Sequence, residues 1–222
     1  MKKLIKRREI PVGNSVSNHP LLDRLYLARH IQNTEELDRT LKSMLNPNQL
    51  YGIEQAVNLL VEAYQQQQKI VIVGDFDADG ATSTALSVLA LRQLGFADVD
   101  YLVPNRFEQG YGLSIPIAEM AIEKGVQLLM TVDNGVSSFE GVAFLKEKGV
   151  RVLVTDHHLP PETLPTADAI VNPNLSQCGF PSKSLAGVGV AFYLMLAVRA
   201  KFRELGIFTA EKQPNFTDLL DL

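Results

Sequence analysis

Residues 70–80 read Ile-Val-Ile-Val-Gly-Asp-Phe-Asp-Ala-Asp-Gly: four β-branched residues, then three aspartates at every second position before a glycine. An apolar run without polar alternation suits a strand covered on both faces. The glycine and aspartates mark the passage from that strand into a helix, where Asp serves as a cap. Similar runs recur at 99–103 (VDYLV), 128–132 (LLMTV), 152–155 (VLVT) and 169–171 (AIV), and helical patterns fill about 81–94, 114–124 and 138–148. Strand and helix in alternation specify βαβ units, and so an α/β fold with a parallel β-sheet flanked by helices.

Outside this block the pattern changes. Residues 1–68 read as a helical N-terminal lead, and residues 69–222 as the α/β domain. In the lead, a helix starts at Pro20, a second at Asn33 with Leu37, Leu41 and Leu45 on one face, and a third spans Ile53 to Gln68. The basic run Lys2, Lys3, Lys6, Arg7 and Arg8 reads as a disordered tail. A last apolar helix, Leu185 to about Leu205, accompanies the glycines of Ala186-Gly187-Val188-Gly189.

Composition narrows the classes. With 21 Lys and Arg against 25 Asp and Glu, the net charge of −4 excludes a generally basic nucleic-acid binder, though not a local basic groove. The single cysteine, Cys178, excludes a disulfide framework and a cysteine-rich zinc module. The start lacks the apolar core of a signal peptide, and no stretch reaches the ~18–20 apolar residues of a membrane span. A soluble, cytoplasmic protein without membrane contact is the expectation.

In an open parallel sheet, ligands collect at the carboxyl ends of the strands, so the polar residues there carry the chemistry. The first end is Asp75-Phe76-Asp77-Ala78-Asp79-Gly80, the second Thr131-Val132-Asp133-Asn134-Gly135, the third Thr155-Asp156-His157-His158. A lone aspartate in such a place reads as a helix cap or turn residue. Three clustered carboxylates repel one another and call for a positive partner, most simply a divalent metal. Carboxylate and imidazole without thiolate suit Mn²⁺ or Mg²⁺ better than structural zinc. Two such ions ~3.5–4 Å apart are a device for phosphoester hydrolysis, supplying hydroxide and neutralising phosphoryl oxygens. Neither GxGxxG, GxxxxGK[ST] nor GxSxG occurs, which removes the dinucleotide, P-loop and nucleophile-elbow readings. Arg106, just past the strand at 99–103, reads either as a phosphate clamp or as a surface ion pair with Glu108. The loop Ser182 to Gly189 reads either as a source of backbone N–H groups for an anion or as a packing turn.

The ordered segments VGDFDADG, VPNRFEQGYGLS, TVDNGVSS, VTDHHLP and VNPN…SKSLAGVGVAF resemble the DHH phosphoesterase superfamily, and within it the RecJ branch of 5′→3′ single-strand-specific DNA exonucleases. The resemblance covers about residues 20–222. It implies a site of two ions, Mn²⁺ or Mg²⁺, in which Asp77 and Asp79 each serve one ion, Asp133 bridges them and His157 ligates one. Asp75 adds to the first ion directly or through water, since Val73 stands where some members carry a histidine. His158 and Arg106 face the substrate phosphate, while Asp156 and Asn134 act from behind the ligands.

Implied partners are single-stranded DNA, a helicase and a single-strand-binding protein, around a monomer that acts in DNA repair and recombination. The family's further metal-binding aspartate and strand-gripping domains follow the Leu-Leu-Asp-Leu segment at 219–222, so the resemblance also implies a longer enzyme. Two other readings stand beside it. One keeps the site but gives it oligonucleotides, cyclic dinucleotides or pyrophosphate; the other is an inactive fragment with a binding role.

Overall fold

The computed structural model describes residues 6, 9–38, 40–105 and 107–222. Arg106 lies outside the described residues, as do Lys2, Lys3, Arg7 and Arg8 of the basic run. The chain divides into two compact units, 1–46 and 47–222.

In the first unit, α1 (Pro20–Leu27) starts as expected at its proline, whose missing N–H costs nothing at a helix start. Asp23 in its first turn accepts from the Val16 and Ser17 amides at 2.7 and 3.1 Å. The helix expected from Asn33 through Leu45 is not formed. Short 3₁₀ turns at 34–37 and 41–43 replace it. Asp38 is extended between them and its carboxylate takes the Thr40 amide at 2.8 Å, a local bond that displaces the helical one.

In the second unit, α2 (Ile53–Gln65) buries Ile53, Ala56, Val57, Leu60, Val61 and Ala63, the apolar stripe legible in its sequence. Because that stripe packs on α6 and on the edge strand β5, this unit reaches back to Pro47, ahead of the change of pattern at residue 69. The expected alternation follows: β1 (Ile70–Val73), α3 (Ala78–Gln93), β2 (Val99–Leu102), α4 (Ile115–Glu123), β3 (Leu128–Val132), α5 (Phe139–Glu147), β4 (Arg151–Thr155), β5 (Ala169–Val171) and α6 (Gly187–Glu204). A 3₁₀ turn at 217–221 buries Leu219.

The five strands are parallel throughout, in the order β2-β1-β3-β4-β5. Alternate strand residues Val71, Val73, Leu129, Val152 and Val154 pack with Ile117, Ala118 and Ala121 of α4 and Val142 and Leu145 of α5. On the opposite face, α3 and α6 lie against each other and against β3. Both faces are thus covered, which is why β1 and β3 are buried along their whole length.

The strand order reverses direction at β1, whose connections lead to β2 on one side and, later, to β3 on the other. Crevices at such switch points are where open α/β sheets hold ligands. Register does the rest. Val73 pairs with Thr131, and Thr131 with Val154. Two residues further along each strand stand Asp75, Asp133 and Asp156, side by side at one level.

Candidate metal centre

Each strand end presents its aspartate by a different local device. After β1, Gly74 lets the chain pass beside Thr84, whose Oγ1 would lie 2.0 Å from a Cβ at that position. Asp75 follows, buried, with Oδ1 accepting from the Phe76 amide at 2.7 Å. Asp77 is the exposed N-cap of α3 and takes the Gly80 amide at 3.0 Å. Burial holds the Asp75 carboxyl above the usual carboxylate range, and the Asp77 charge pushes the same way.

Asp79, in the first turn of α3, is occupied from another element. Its Oδ2 accepts from the Gly187 amide at 2.7 Å and its Oδ1 from the Val188 amide at 2.8 Å. The N–H groups at the start of α6, read from sequence either as donors for an anion or as part of a packing turn, are directed at the chain's own carboxylate.

After β3, Asp133 sits in the left-handed region at φ 60°, uncommon for a residue with a side chain. Asn134 holds the bend: its Nδ2 donates to the carbonyls of Val73 and Val132 at 3.0 and 2.9 Å, tying the ends of β1 and β3 together. Asp133 is only 1% exposed, and its buried Oδ1 accepts no hydrogen bond from the described residues. Burial, then the charges of Asp79 and Asp77, raise its carboxyl to about 7.

After β4, Asp156 organises the histidines. Its Oδ2 takes the Val136 amide at 2.9 Å, while Oδ1 takes the amides of His157 and His158 at 2.7 and 3.0 Å. Oδ1 also lies 2.7 Å from His158 Nδ1. Burial disfavours the imidazolium of His158, but the bond to Asp156 and the charges of Asp156, Asp133 and Asp75 together outweigh it and raise the ring above its ordinary value. His157 points Nε2 into the cluster, 3.0 Å from Asp133 Oδ1 and 3.5 Å from Asp79 Oδ2.

Donor atoms converge in two sets, each within 4.8 Å: Asp75, Asp77 and Asp133, and Asp133, His157 and His158. Asp133 is common to both. Oxygen and imidazole donors around a buried carboxylate oxygen without a hydrogen bond fit hard divalent cations such as Mn²⁺ or Mg²⁺. Asp79 stands beside these sets rather than within them, and Asp156 and Asn134 sit behind them.

Sequence reasoning missed three contributions. Asn172 and Asn174, in the loop after β5, donate to the carbonyls of His158 and His157 at 2.9 and 2.5 Å and so fix the histidine pair from beneath. Their spacing in Val-Asn-Pro-Asn is visible, but nothing local says which carbonyls they reach. Tyr111 stands over Asp75, and burial, then the charges of Asp75, Asp156 and Asp133, raise its phenol. Gly187 matters for what it lacks: a Cβ there would lie 2.5 Å from Asp133 Oδ1 and 2.8 Å from its Cγ.

A parallel sheet with acidic and histidine-bearing strand ends around a shared aspartate places the chain among α/β proteins with a carboxylate–imidazole centre. The chain belongs to the DHH family, whose N-terminal domain matches residues 69–222. It is 96% identical over 222 residues to the single-stranded-DNA-specific exonuclease RecJ of Haemophilus influenzae (strain Rd), covering all of this chain and 39% of that protein. To RecJ of Escherichia coli K12 it is 58% identical, over 98% of this chain and 38% of that one. A crystal structure of exonuclease RecJ bound to manganese superposes with a TM-score of 0.65 at 39% identity, covering 73% of this chain and 40% of that chain. The chain therefore spans 39% and 38% of the length of these two curated relatives. No helix among the described residues is long and apolar enough to cross a membrane.

Two outcomes follow from the geometry. Asp133 binds its proton more tightly in the folded chain than unfolded, so its charge costs stability as pH rises from about 4 to about 7, and the whole penalty stands above that. In chelator-treated protein, Asp133→Asn should raise unfolding free energy at pH 8 by on the order of 2–4 kcal/mol, with the gain gone at pH 4. Urea titrations at the two pH values measure this; an equal gain at both would contradict it. Gly187→Ala should weaken Mn²⁺ binding by ~10-fold or more, because the Asp133 carboxylate or the start of α6 must move. Gly189→Ala, whose Cβ would have atoms of the flexible Leu185 side chain as its nearest neighbours, is the control, and calorimetric Mn²⁺ titration reads both.

Proposed function

We propose that this chain carries the catalytic centre of a 5′→3′ exonuclease that hydrolyses single-stranded DNA with two divalent ions, Mn²⁺ or Mg²⁺. The observation that carries the reading is Asp133, a buried carboxylate common to two sets of donors, as a bridge between two ions requires. The DHH membership and the names of the RecJ relatives support the substrate class.

In this reading Asp75 and Asp77 would hold one ion, His157 the other, and Asp133 would serve both. When bound, the ions neutralise phosphoryl oxygens and activate the attacking water. The chain's own residues do the rest. Asp79, fixed by the Gly187 and Val188 amides, adds negative charge beside His157 and completes the acidic wall as the second carboxylate toward that ion. Asp156 holds the His158 ring in place through Nδ1 and favours its charged form. His158 thereby offers positive charge where a substrate phosphate meets the centre. Arg106 is proposed as a second cation on that phosphate. Asn134, Asn172 and Asn174 keep the strand ends from shifting, which matters because sub-ångström placement of ligands decides such chemistry.

The same reading places the protein in DNA repair and recombination in the cytoplasm, as a monomer that works with a helicase and a single-strand-binding protein. A single strand labelled at its 5′ end, incubated with the chain and Mn²⁺, should release labelled mononucleotide first. Asp133→Ala should reduce that release at least ~100-fold. Equal release by both proteins, or release beginning from the 3′ end, would sink the reading.

A further inference from the structure

Residues 182–189 join the loop after β5 to α6, and the structure turns this stretch inward at both ends. At its far end the Gly187 and Val188 amides hold Asp79. Four residues before Gly187 stands Lys183, which plays no part in the chemistry above. Its Nζ donates to the Pro173 carbonyl at 2.6 Å and to the Cys178 carbonyl at 2.8 Å.

Pro173 is the residue between Asn172 and Asn174, whose side chains hold the carbonyls of His158 and His157 at 2.9 and 2.5 Å. Within that turn the Leu175 amide reaches the Asn172 carbonyl only at 3.3 Å, and the Cys178 amide reaches the Leu175 carbonyl at 3.0 Å. The first of these lies beyond the usual N–H···O range, so the backbone alone closes the turn loosely. An ammonium that takes two carbonyls of one turn fastens it from outside, and charge-assisted bonds are about twice as strong as neutral ones.

Lys183 is exposed, where a lysine is ordinarily free to meet solvent or a ligand phosphate. With two of its three N–H donors on carbonyls, it is spent on the chain itself. The stretch therefore works as a bracket. One arm steadies the loop beneath the histidines, and the other holds Asp79. These are groups that meet, since His157 Nε2 lies 3.5 Å from Asp79 Oδ2. The opposite side of the centre is built otherwise: the Phe76 and Gly80 amides hold Asp75 and Asp77, and Asn134 ties β1 to β3. Neither bond of Lys183 reaches that side.

We infer that Lys183 is a positioning residue for the histidine half of the centre. By fastening the 173–178 turn to the stretch that leads into α6, it sets His157 against Asp79 and governs the ion on that side without touching it. The inference rests on the two-ion reading proposed above and adds to it a side chain that acts on one ion only.

Lys183→Met keeps the apolar stem and removes the donors, while Lys183→Arg restores a charged donor. Each is titrated calorimetrically with Mn²⁺ as the full chain, beside the wild type. Lys183→Met should weaken one of the two binding events on the order of tenfold and leave the other within about twofold, and Lys183→Arg should recover most of the loss. In metal-free protein, NMR should show the Asn172 and Asn174 side-chain amides and the His157 amide shifted in Lys183→Met, with the Asn134 side-chain amide unmoved. Equal weakening of both events, unchanged binding of both, or shifts at Asn134 as large as at Asn172 overturns the assignment and leaves the centre standing. A wild type that binds no second Mn²⁺ overturns the two-ion reading itself, and the role of Lys183 with it. Urea unfolding of the metal-free variants checks that the fold persists, and Lys183→Gln carries the same comparison should Lys183→Met not fold.

Discussion

A carboxylate removed from water at the end of β3, with an oxygen that takes no hydrogen bond from the described residues, is the constraint around which this molecule is arranged. Such a group is expensive to bury, and burial beside other carboxylates is more expensive still. The chain stabilises its neighbours with backbone amides. Asp75, Asp77, Asp79 and Asp156 each accept at least one N–H bond, from Phe76, Gly80, the start of α6 and the 136–158 region. The buried Oδ1 of Asp133 accepts none from the described residues. An acidic cluster solved by amides at every position but one leaves that position for a cation.

The sheet order makes this cluster possible. Strands β1 and β3 are distant in sequence yet hydrogen-bonded neighbours, so the Asp75 and Asp133 segments leave the sheet beside one another. Asn134 locks the two ends with a single side-chain amide, and Gly187 lets a third element, α6, come within van der Waals distance of the same carboxylate. Stability is surrendered at the centre and recovered in the apolar layers on both faces of the sheet, as expected where function fixes a charge in the interior.

Much of this was legible from residue types alone. The apolar runs at 70–73, 128–132 and 152–155 announced buried parallel strands because neither face needed polar residues. The carboxyl-end rule then pointed to Asp75, Asp77, Asp79, Asp133, Asp156 and the two histidines from residue types alone. The lead was less legible. Leu37, Leu41 and Leu45 keep helical spacing, but Asp38 satisfies its neighbour's amide locally and the helix does not form.

Strand identity, strand ends and the donor types of the centre were determined by sequence, since these depend on side-chain chemistry and on periods of a few residues. Tertiary structure alone decided how each donor is employed. The start of α6 proved to cap Asp79, 108 positions away in sequence, and the Asn172 and Asn174 amides proved to hold the histidine backbone. Which of five aspartates keeps a buried oxygen without a hydrogen bond depends on amides delivered from elements far apart in the chain. No local pattern encodes that, because hydrogen bonds of this kind exist only once the sheet has brought its strand ends together.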